Sequence, residues 1–127
     1  IMAHKIFILL CMIFCHIVDD YYLQGWLASA KQREWWVKNA PDELYKHDYL
    51  IALFMHSFSW TFMIMLITNL KCMLFGGTFY VGLFISNITI HMFADNAKAN
   101  RKSINLVQDQ VIHLAQILFT WYLTIMR

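Results

Sequence analysis

The sequence has little of what a water-soluble domain or a β-sheet protein needs. Only one proline and four glycines are available for turns, and charged residues make up 14% of the 127 positions. Hydrophobic residues make up 60%, and the mean hydropathy is +0.49. The apolar runs are too long for strands, so α-helices are the structure that can satisfy this backbone inside a membrane. The composition predicts one all-α, integral membrane domain.

Cysteine is scarce, and its placement does not indicate a disulfide framework. Cys11, Cys15 and Cys72 lie in apolar stretches without the even, loop-borne spacing of a cross-linked protein, so we expect them to serve in packing. The formal net charge is only +2, and the basic residues are in turns rather than along one stripe. We therefore expect no nucleic-acid partner.

Four apolar stretches are long enough to form the helices of a bundle. Their approximate ranges are 5–28, 42–70, 75–97 and 105–126, within a single domain of residues 1–127. Between the first two, Trp35 and Trp36 lie among lysines and arginines, which is typical of an amphipathic segment at the lipid headgroups. Asn105 and Gln108 have the spacing of a capping box at the start of the last helix. The sequence predicts a four-helix membrane bundle with an interfacial segment between helices 1 and 2.

The first helix has an alternative interpretation. Lys5, the apolar run after it and the small residues 28–30 together resemble a signal peptide and its cleavage site. His16 and the pair Asp19 and Asp20 would interrupt the apolar part of a signal peptide. We therefore favour a membrane helix.

The polar residues of the last two helices share single faces. At 100° per residue, His91, Asp95 and Lys98 fall within about 60° of one another on one helix. Asp109 and His113 are separated by about 40° on the next. The turn between them is short enough to make the helices antiparallel neighbours. We expect the two polar stripes to face each other.

The ionisable residues of all four helices fall at one depth. His16 and Asp20 lie near the end of the first helix and His56 near the start of the second, while the two stripes flank the last turn. Helices that alternate in direction bring these groups to the same half of the bilayer. A lone intramembrane histidine more often hydrogen-bonds between helices, but clustered ionisable groups are expensive in a membrane and mark functional sites.

This pattern predicts a shared metal site. Imidazole and carboxylate donors suit Zn²⁺ best, and also Mn²⁺ or Fe²⁺. Seven candidate ligands exceed the four of a tetrahedral site, so either two metals bind or some carboxylates orient the imidazoles. The predicted ligands are His16, Asp20, His56, His91, Asp95, Asp109 and His113.

Three short elements carry a resemblance to known proteins: His16-x3-Asp20-x3-Gln24, His91-x3-Asp95-x2-Lys98 and Asp109-Gln110-x2-His113. Together with His56 they resemble a family of short prokaryotic and phage membrane proteins known only as a domain of unknown function. In pattern they are also similar to membrane-bound metal-dependent hydrolases. The resemblance covers most of the chain and implies a polytopic helical fold. It also implies a place in the cofactor-binding site for Gln24 and Gln110, but it supplies no substrate.

A divalent metal held by His and Asp would activate water and polarise a carbonyl or phosphoryl oxygen, which is the chemistry of a hydrolase. Asp19 or Asp109 could act as the general base. Lys98 could hold an anionic substrate group, neutralise Asp95 or anchor the helix at the interface. A site in one leaflet, beneath a tryptophan-rich segment, predicts membrane lipid as the partner and a lipid or lipid-linked substrate.

Three other classes of function stay open. Ion or proton transport would use the same residues, although the far halves of the helices offer few polar groups beyond Thr61, Thr68 and Thr120. Haem between two histidines would leave the aspartates unexplained. A structural metal in a small membrane subunit is the third alternative, and a homo-oligomer is compatible with each.

Basic residues predict the orientation. The connections on the side of the predicted site carry an excess of basic residues: Lys31, Arg33, Lys38, Lys46, Lys98, Arg101 and Lys102. The opposite side has only Lys5, Lys71 and Arg127. The positive-inside rule then predicts that the site lies on the cytoplasmic side and that both termini are outside. The resemblance implies that the membrane is the prokaryotic inner membrane.

Overall fold

The computed structural model describes all 127 residues and contains helices and turns but no strands. The main helices are α1 (Met2–Ile17), α2 (Leu27–Ala30), α3 (Arg33–Asn39), α4 (Asp48–Ile64), α5 (Leu66–Phe75), α6 (Val81–Ala99) and α7 (Leu106–Trp121). Two π-helical segments, Val18–Leu23 and Tyr122–Met126, continue α1 and α7, and a 3₁₀ turn, Glu43–Tyr45, precedes α4. The prediction of an all-α chain is confirmed.

The first two predicted helices differ from the structure at their ends. The first stops at Leu23 rather than near residue 28, because Gly25 adopts a left-handed φ of 56° and turns the chain into α2. The second is divided into α4 and α5, which meet at 51° beside Met65. The sequence has no glycine or proline at that bend, so local residue preferences did not reveal it. Gly76, with φ of 82°, ends α5.

Length and apolar composition identify fewer spanning helices than the four expected. The segment Met2–Leu23, with 22 residues and a hydropathy of 1.8, is long and apolar enough to cross a membrane. A second span results only if the bent pair Glu43–Ile64 and Leu66–Phe75 is counted as one. The polar stripes lower the hydropathy of α6 and α7. Composition alone is thus weak evidence for a membrane location, and the multi-pass arrangement stays a prediction.

Four helices form a closed ring. α4 packs against α1 and α6, and α7 packs against α6 and α1. An apolar cluster of Met12, Trp60, Ile64, Met65 and Ile117 fills the middle of the ring. The short helices α2 and α3 cover one end, where they contact α4.

Burial in this ring is the reverse of that in a water-soluble domain. Of the 23 buried residues, 13 are polar or charged and only 10 are hydrophobic. Large apolar side chains such as Phe7, Phe14, Phe93 and Phe119 are exposed on the outside. Soluble proteins bury most of their large apolar residues and leave ionisable groups in water. The interior of this bundle therefore combines a small apolar cluster with a larger set of buried polar groups.

The turn between α6 and α7 fixes the two polar stripes against each other. The Asn105 side chain accepts a hydrogen bond from the Gln108 backbone N–H, and the Gln108 side chain accepts one from the Asn105 N–H, each at 2.9 Å. The predicted capping box is confirmed. It satisfies two backbone donors at the start of α7.

Replacing Asn105 by Ala should lower the free energy of unfolding by about 1 kcal/mol, because the cap then loses its acceptor. Asn105→Asp keeps a carboxylate acceptor at the same position and should stay near the wild-type value. Denaturant unfolding in detergent, followed by circular dichroism, measures both. Equal denaturation midpoints for the Ala and Asp variants would show that the side-chain cap contributes nothing to stability.

Candidate functional site

The site forms where the polar stretches of the four ring helices meet. His16 lies at the end of α1, and the π-helical segment after it places both Asp19 and Asp20 towards the interior. π-Helical turns often occur at functional sites. We call the group formed by six of these side chains the central cluster: Asp20, His56, His91, Asp95, Asp109 and His113.

Two imidazoles of the central cluster point their Nε2 atoms at pairs of carboxylates. His56 Nε2 lies 3.1 Å from Asp20 Oδ1 and 3.3 Å from Asp95 Oδ2. His113 Nε2 lies 3.2 Å from both Asp95 Oδ1 and Asp109 Oδ1. Asp95 therefore joins the two imidazoles, which come from α4 and α7.

His91 completes the arrangement between these two rings. Its Nε2 is 3.8 Å from Asp20 Oδ1, and its ring stacks on His113 with a centroid separation of 4.2 Å and an angle of 16°. The indole of Trp60 covers it at 4.4 Å. His91 Nε2 is buried and has no hydrogen-bond partner.

Other residues hold the His91 and His113 rings from behind. Ser57 Oγ and His91 Nδ1 are 3.1 Å apart, and His113 Nδ1 is 3.2 Å from Gln116 Oε1. When Nδ1 is held by such a partner, the ring orientation is fixed and Nε2 is directed at the opposite side. These partners direct both Nε2 atoms into the central cluster.

Asp19 lies behind His56, but at a distance too long for a hydrogen bond. His56 Nδ1 is 3.8 Å from Asp19 Oδ2, and the other Asp19 oxygen accepts a 2.6 Å hydrogen bond from Ser59 Oγ. Asp19 thus lies on the far side of the imidazole from the carboxylates of Asp20 and Asp95. A carboxylate behind an imidazole is a frequent orienting partner in metal sites.

His16 contacts the cluster but both of its ring nitrogens are occupied. The Trp60 indole N–H, which can only donate, gives a 2.8 Å hydrogen bond to His16 Nδ1. Nδ1 is therefore unprotonated, and the N–H at Nε2 donates to Gln110 Oε1 at 2.9 Å. His16 approaches Asp20 only at 3.8 Å.

The two glutamines that the resemblance implied occupy different places. Gln110 is central: its amide nitrogen is 3.2 Å from Asp109 Oδ2 and 3.4 Å from Asp20 Oδ2, so it connects α7 to α1. Gln24 donates instead to the backbone oxygen of Asp20, at 2.9 Å. Its Oε1 is buried without a partner.

Two lysines approach the carboxylates, and the sequence revealed only one. Lys98 Nζ is 3.8 Å from Asp109 Oδ2 and the Lys98 side chain is 39% exposed, so it lies at the edge of the cluster. Lys31 Nζ donates to Asp95 Oδ2 at 2.9 Å, and its side chain is only 13% exposed. Lys31 comes from the non-periodic connection between α2 and α3, where no spacing singles it out.

The charges inside the bundle do not balance when the imidazoles are neutral, which is the form that binds a metal. The four carboxylates of Asp19, Asp20, Asp95 and Asp109 supply four negative charges when ionised, while Lys31 and Lys98 supply two positive ones. Two further buried atoms, Asp19 Oδ2 and Asp109 Oδ1, lack hydrogen-bond partners. Asp109 Oδ1 is close to His113 Nε2, but the two atoms are not aligned for a hydrogen bond. An unsatisfied buried polar group costs about 1–3 kcal/mol, and more when charged. The cluster has the charge and the free donor atoms that a cation would satisfy.

The donor atoms of the central cluster form three overlapping groups, within each of which all atoms lie within 4.8 Å of one another. The groups are Asp20, His91 and His113; His56, His91 and Asp95; and Asp95, Asp109 and His113. The structure thus brings together six of the seven predicted ligands in metal-binding proximity. His16 belongs to none of the groups.

A polar chain continues from the cluster into the bundle. Gln116, which holds His113, donates to the backbone oxygen of Asn87 at 3.0 Å. Asn87 donates in turn to Thr120 Oγ1 at 2.8 Å and contacts Met65 Sδ at 3.8 Å. The predicted stripes on α6 and α7 therefore face each other, and Asn87, Gln116 and Thr120 extend the polar contact between these helices.

No curated protein and no solved structure matches this chain. A family model does match, over residues 7–127. The sequence-based resemblance to a family of unknown function is confirmed, whereas the membrane character of that family and the similarity to metal-dependent hydrolases stay predictions. The chain belongs to the family described as Protein of unknown function (DUF3307).

Proposed function

We propose that this protein is a multi-pass membrane hydrolase that uses a divalent metal, most favourably Zn²⁺, in the central cluster. The observation that carries the proposal is the common orientation of the imidazoles of His56, His91 and His113. Their Nε2 atoms face carboxylate oxygens, while the Nδ1 atoms of His91 and His113 are held by Ser57 and Gln116. Imidazole and carboxylate donors with outer partners of this kind are typical of zinc sites, and Mn²⁺ or Fe²⁺ would also suit them.

The charge of the site supports a divalent cation. With the imidazoles neutral, as metal binding requires, its four ionised carboxylates exceed Lys31 and Lys98 by two negative charges, which one divalent ion would neutralise. The donor groups overlap through His91, Asp95 and His113, so they would also accommodate two ions that share ligands. In either case the metal would satisfy the unpartnered His91 Nε2, and with a single ion Asp109 Oδ1 would stay free.

The surrounding residues then have positioning roles. His16 orients Gln110, because both of its ring nitrogens are already engaged by protein groups. Asp19 orients His56 from behind, so it is less suited to act as general base than the sequence indicated. Asp109, which has a free carboxylate oxygen next to the half-exposed Lys98, is the better general base.

A bound divalent metal would polarise a carbonyl or phosphoryl oxygen and make water more acidic. Asp109 takes a proton from the attacking water, whose oxygen bonds to the carbonyl carbon or to phosphorus. The bond to the leaving oxygen then breaks, and that oxygen departs with the proton that Asp109 held. Lys98 holds an anionic group of the substrate at the exposed edge of the site.

The distribution of apolar residues supports a membrane location for the whole bundle. Large apolar side chains cover the outside of α1, α4, α6 and α7, while the ionisable groups face inward. Helices in lipid keep their polar residues towards the bundle interior. A substrate that reaches such a site from one leaflet would be a lipid or a lipid-linked molecule.

Transport is the second candidate, and the polar chain beyond the cluster favours it. Gln116, Asn87 and Thr120 continue the line of buried polar groups away from His113. The chain meets Met65, however, which belongs to the apolar cluster that fills the middle of the ring. Hydrolysis is the better supported function because the line of polar groups reaches an apolar barrier.

The double variant His91→Ala, His113→Ala should lose bound metal and should melt at a lower temperature than the wild type. Loss of two ligands leaves buried carboxylates without their cation, and breaking a buried charge pair costs about 3–5 kcal/mol. Elemental analysis and thermal unfolding of the purified protein in detergent, with and without chelator, measure both effects. Release of water-soluble product from short-chain phospholipids should cease in the variant.

The matched control is Cys11→Ala, Cys15→Ala, because these cysteines are free and lie outside the central cluster. It should retain metal and product release. Full metal content in the histidine variant would contradict the metal site and leave these residues as hydrogen-bonding partners between helices.

Lys31→Met should make the thermal stability of the protein depend more strongly on bound metal. Without Lys31, the metal-free cluster keeps its four carboxylates but has one positive charge fewer. Chelator should therefore lower the Tm of this variant several degrees further than that of the wild type, at roughly 3–6 °C per kcal/mol. Lys46→Met, which removes an exposed partner of Glu43, is the control and should respond to chelator as the wild type does. If chelator lowers the Tm of Lys31→Met no more than that of the wild type, Lys31 does not compensate the charge of the cluster.

The orientation predicted from basic residues places the chain end at Arg127 outside the cytoplasm. A reporter that is active only outside should be active when fused after Arg127. The same reporter fused to a chain truncated after Arg101 should be silent, since the turn between α6 and α7 belongs to the cytoplasmic side. The opposite pair of results would reverse the orientation.

A further inference from the structure

A basic cavity opens beside the central cluster. It has a volume of about 520 Å³, within the range of small-molecule sites. Arg33, Lys38 and Arg101 are exposed at its mouth, and the side chains of Tyr49, Asn96 and Asn100 are partly buried along its wall. Three cations and the polar side chains of Tyr49 and Asn96 thus line one space, while the Asn100 amide is already engaged by protein groups.

The cations of this cavity are not neutralised by the protein. Its one acidic residue, Glu34, already pairs with Lys102, whose Nζ lies 2.9 Å from Glu34 Oε1. Arg33, Lys38 and Arg101 have no carboxylate within 4 Å among the ion pairs of the structure. Free guanidinium groups that converge on one cavity are suited to bind phosphate, because each offers a planar fork of donors.

The cavity and the central cluster are lined by neighbouring residues of the same segments. Asn96 of the cavity follows Asp95 of the cluster on α6. The side-chain oxygen of Asn100 accepts a 2.6 Å hydrogen bond from the backbone N–H of Arg33. Its amide nitrogen donates to the backbone oxygen of Lys31 at 3.0 Å. Lys31 in turn contacts Asp95. The same segment therefore presents Lys31 to the cluster and Arg33 to the cavity.

We infer that this cavity binds the phosphate group of an anionic substrate and places the adjoining ester next to the central cluster. The inference rests on the proposed hydrolase and narrows its substrates to phosphate-bearing molecules. Phosphate on a lipid headgroup and free phosphate share this chemistry. The apolar exterior favours the lipid, whose chains would remain in the bilayer while the headgroup reaches the arginines.

The test is calorimetric titration of the purified full chain in non-ionic detergent with three probes: dihexanoyl phosphatidic acid, dihexanoylglycerol and inorganic phosphate. Phosphatidic acid should bind to the wild type, and dihexanoylglycerol, which lacks the phosphate, should bind at least tenfold more weakly. Arg33→Gln, Arg101→Gln should lose tenfold or more of the phosphatidic acid affinity, because two charged donors are removed. Lys5→Gln, Lys71→Gln removes the same charge elsewhere and should leave the affinity unchanged.

The outcomes separate the source of the phosphate. Binding of phosphatidic acid without binding of inorganic phosphate supports a lipid headgroup, and comparable binding of both, lost in the arginine variant, supports a site for the phosphate group alone. Unchanged affinity in the arginine variant, or equal binding of dihexanoylglycerol, overturns the inference. Circular dichroism confirms that the variant is folded.

Metal content in the same samples separates this inference from the proposed function. The arginine variant should retain metal, since neither arginine belongs to the central cluster. If the wild type contains no metal but its binding of phosphatidic acid is lost in the arginine variant, the proposed hydrolase is contradicted and the phosphate cavity is not. If the wild type contains metal but the arginine variant binds phosphatidic acid equally well, the phosphate cavity is contradicted and the metal site is not.

Discussion

The rest of the structure depends on the contacts that the Asp95 carboxylate makes. One of its oxygens lies 2.9 Å from Lys31 and 3.3 Å from His56, and the other lies 3.2 Å from His113. It thereby connects α6 to α4, to α7 and to the segment after α2. A buried carboxylate is tolerated only when it is paired and hydrogen-bonded, so these three elements have to be in place together. The positions of the helices and the geometry of the site are set by the same contacts.

Helix periodicity made much of this arrangement predictable. His91 and Asp95 share a face because four residues advance a helix by a little more than one turn, and the same holds for Asp109 and His113. The capping box at Asn105 was predictable too, because it depends on side chains only three residues apart. Such features follow from local geometry that each segment has on its own. The facing of the two stripes then follows from the short turn that joins them.

Features that depend on tertiary packing were not predictable in the same way. Lys31 enters the site from a connection without periodicity, and its contact with Asp95 spans 64 positions of sequence. Spacing placed His16 on the correct face of α1, but it could not show that Trp60 would occupy its Nδ1 atom. The bend beside Met65 occurs without glycine or proline. Each of these depends on which helices become neighbours, which local sequence does not specify.

A bundle with a polar interior and an apolar exterior cannot rely on the hydrophobic effect to hold its helices together in lipid, because the surrounding chains are as apolar as its own surface. Helix association then depends on packing and on polar contacts such as those of Gln110, which joins α1 to α7, and Gln116, which joins α7 to α6. Those contacts lie next to the atoms that would hold a cation. Under the proposed membrane location, the residues that stabilise the bundle and those that perform its chemistry are therefore largely the same. Substitution of the outer partners should then disturb stability and metal binding together rather than one alone.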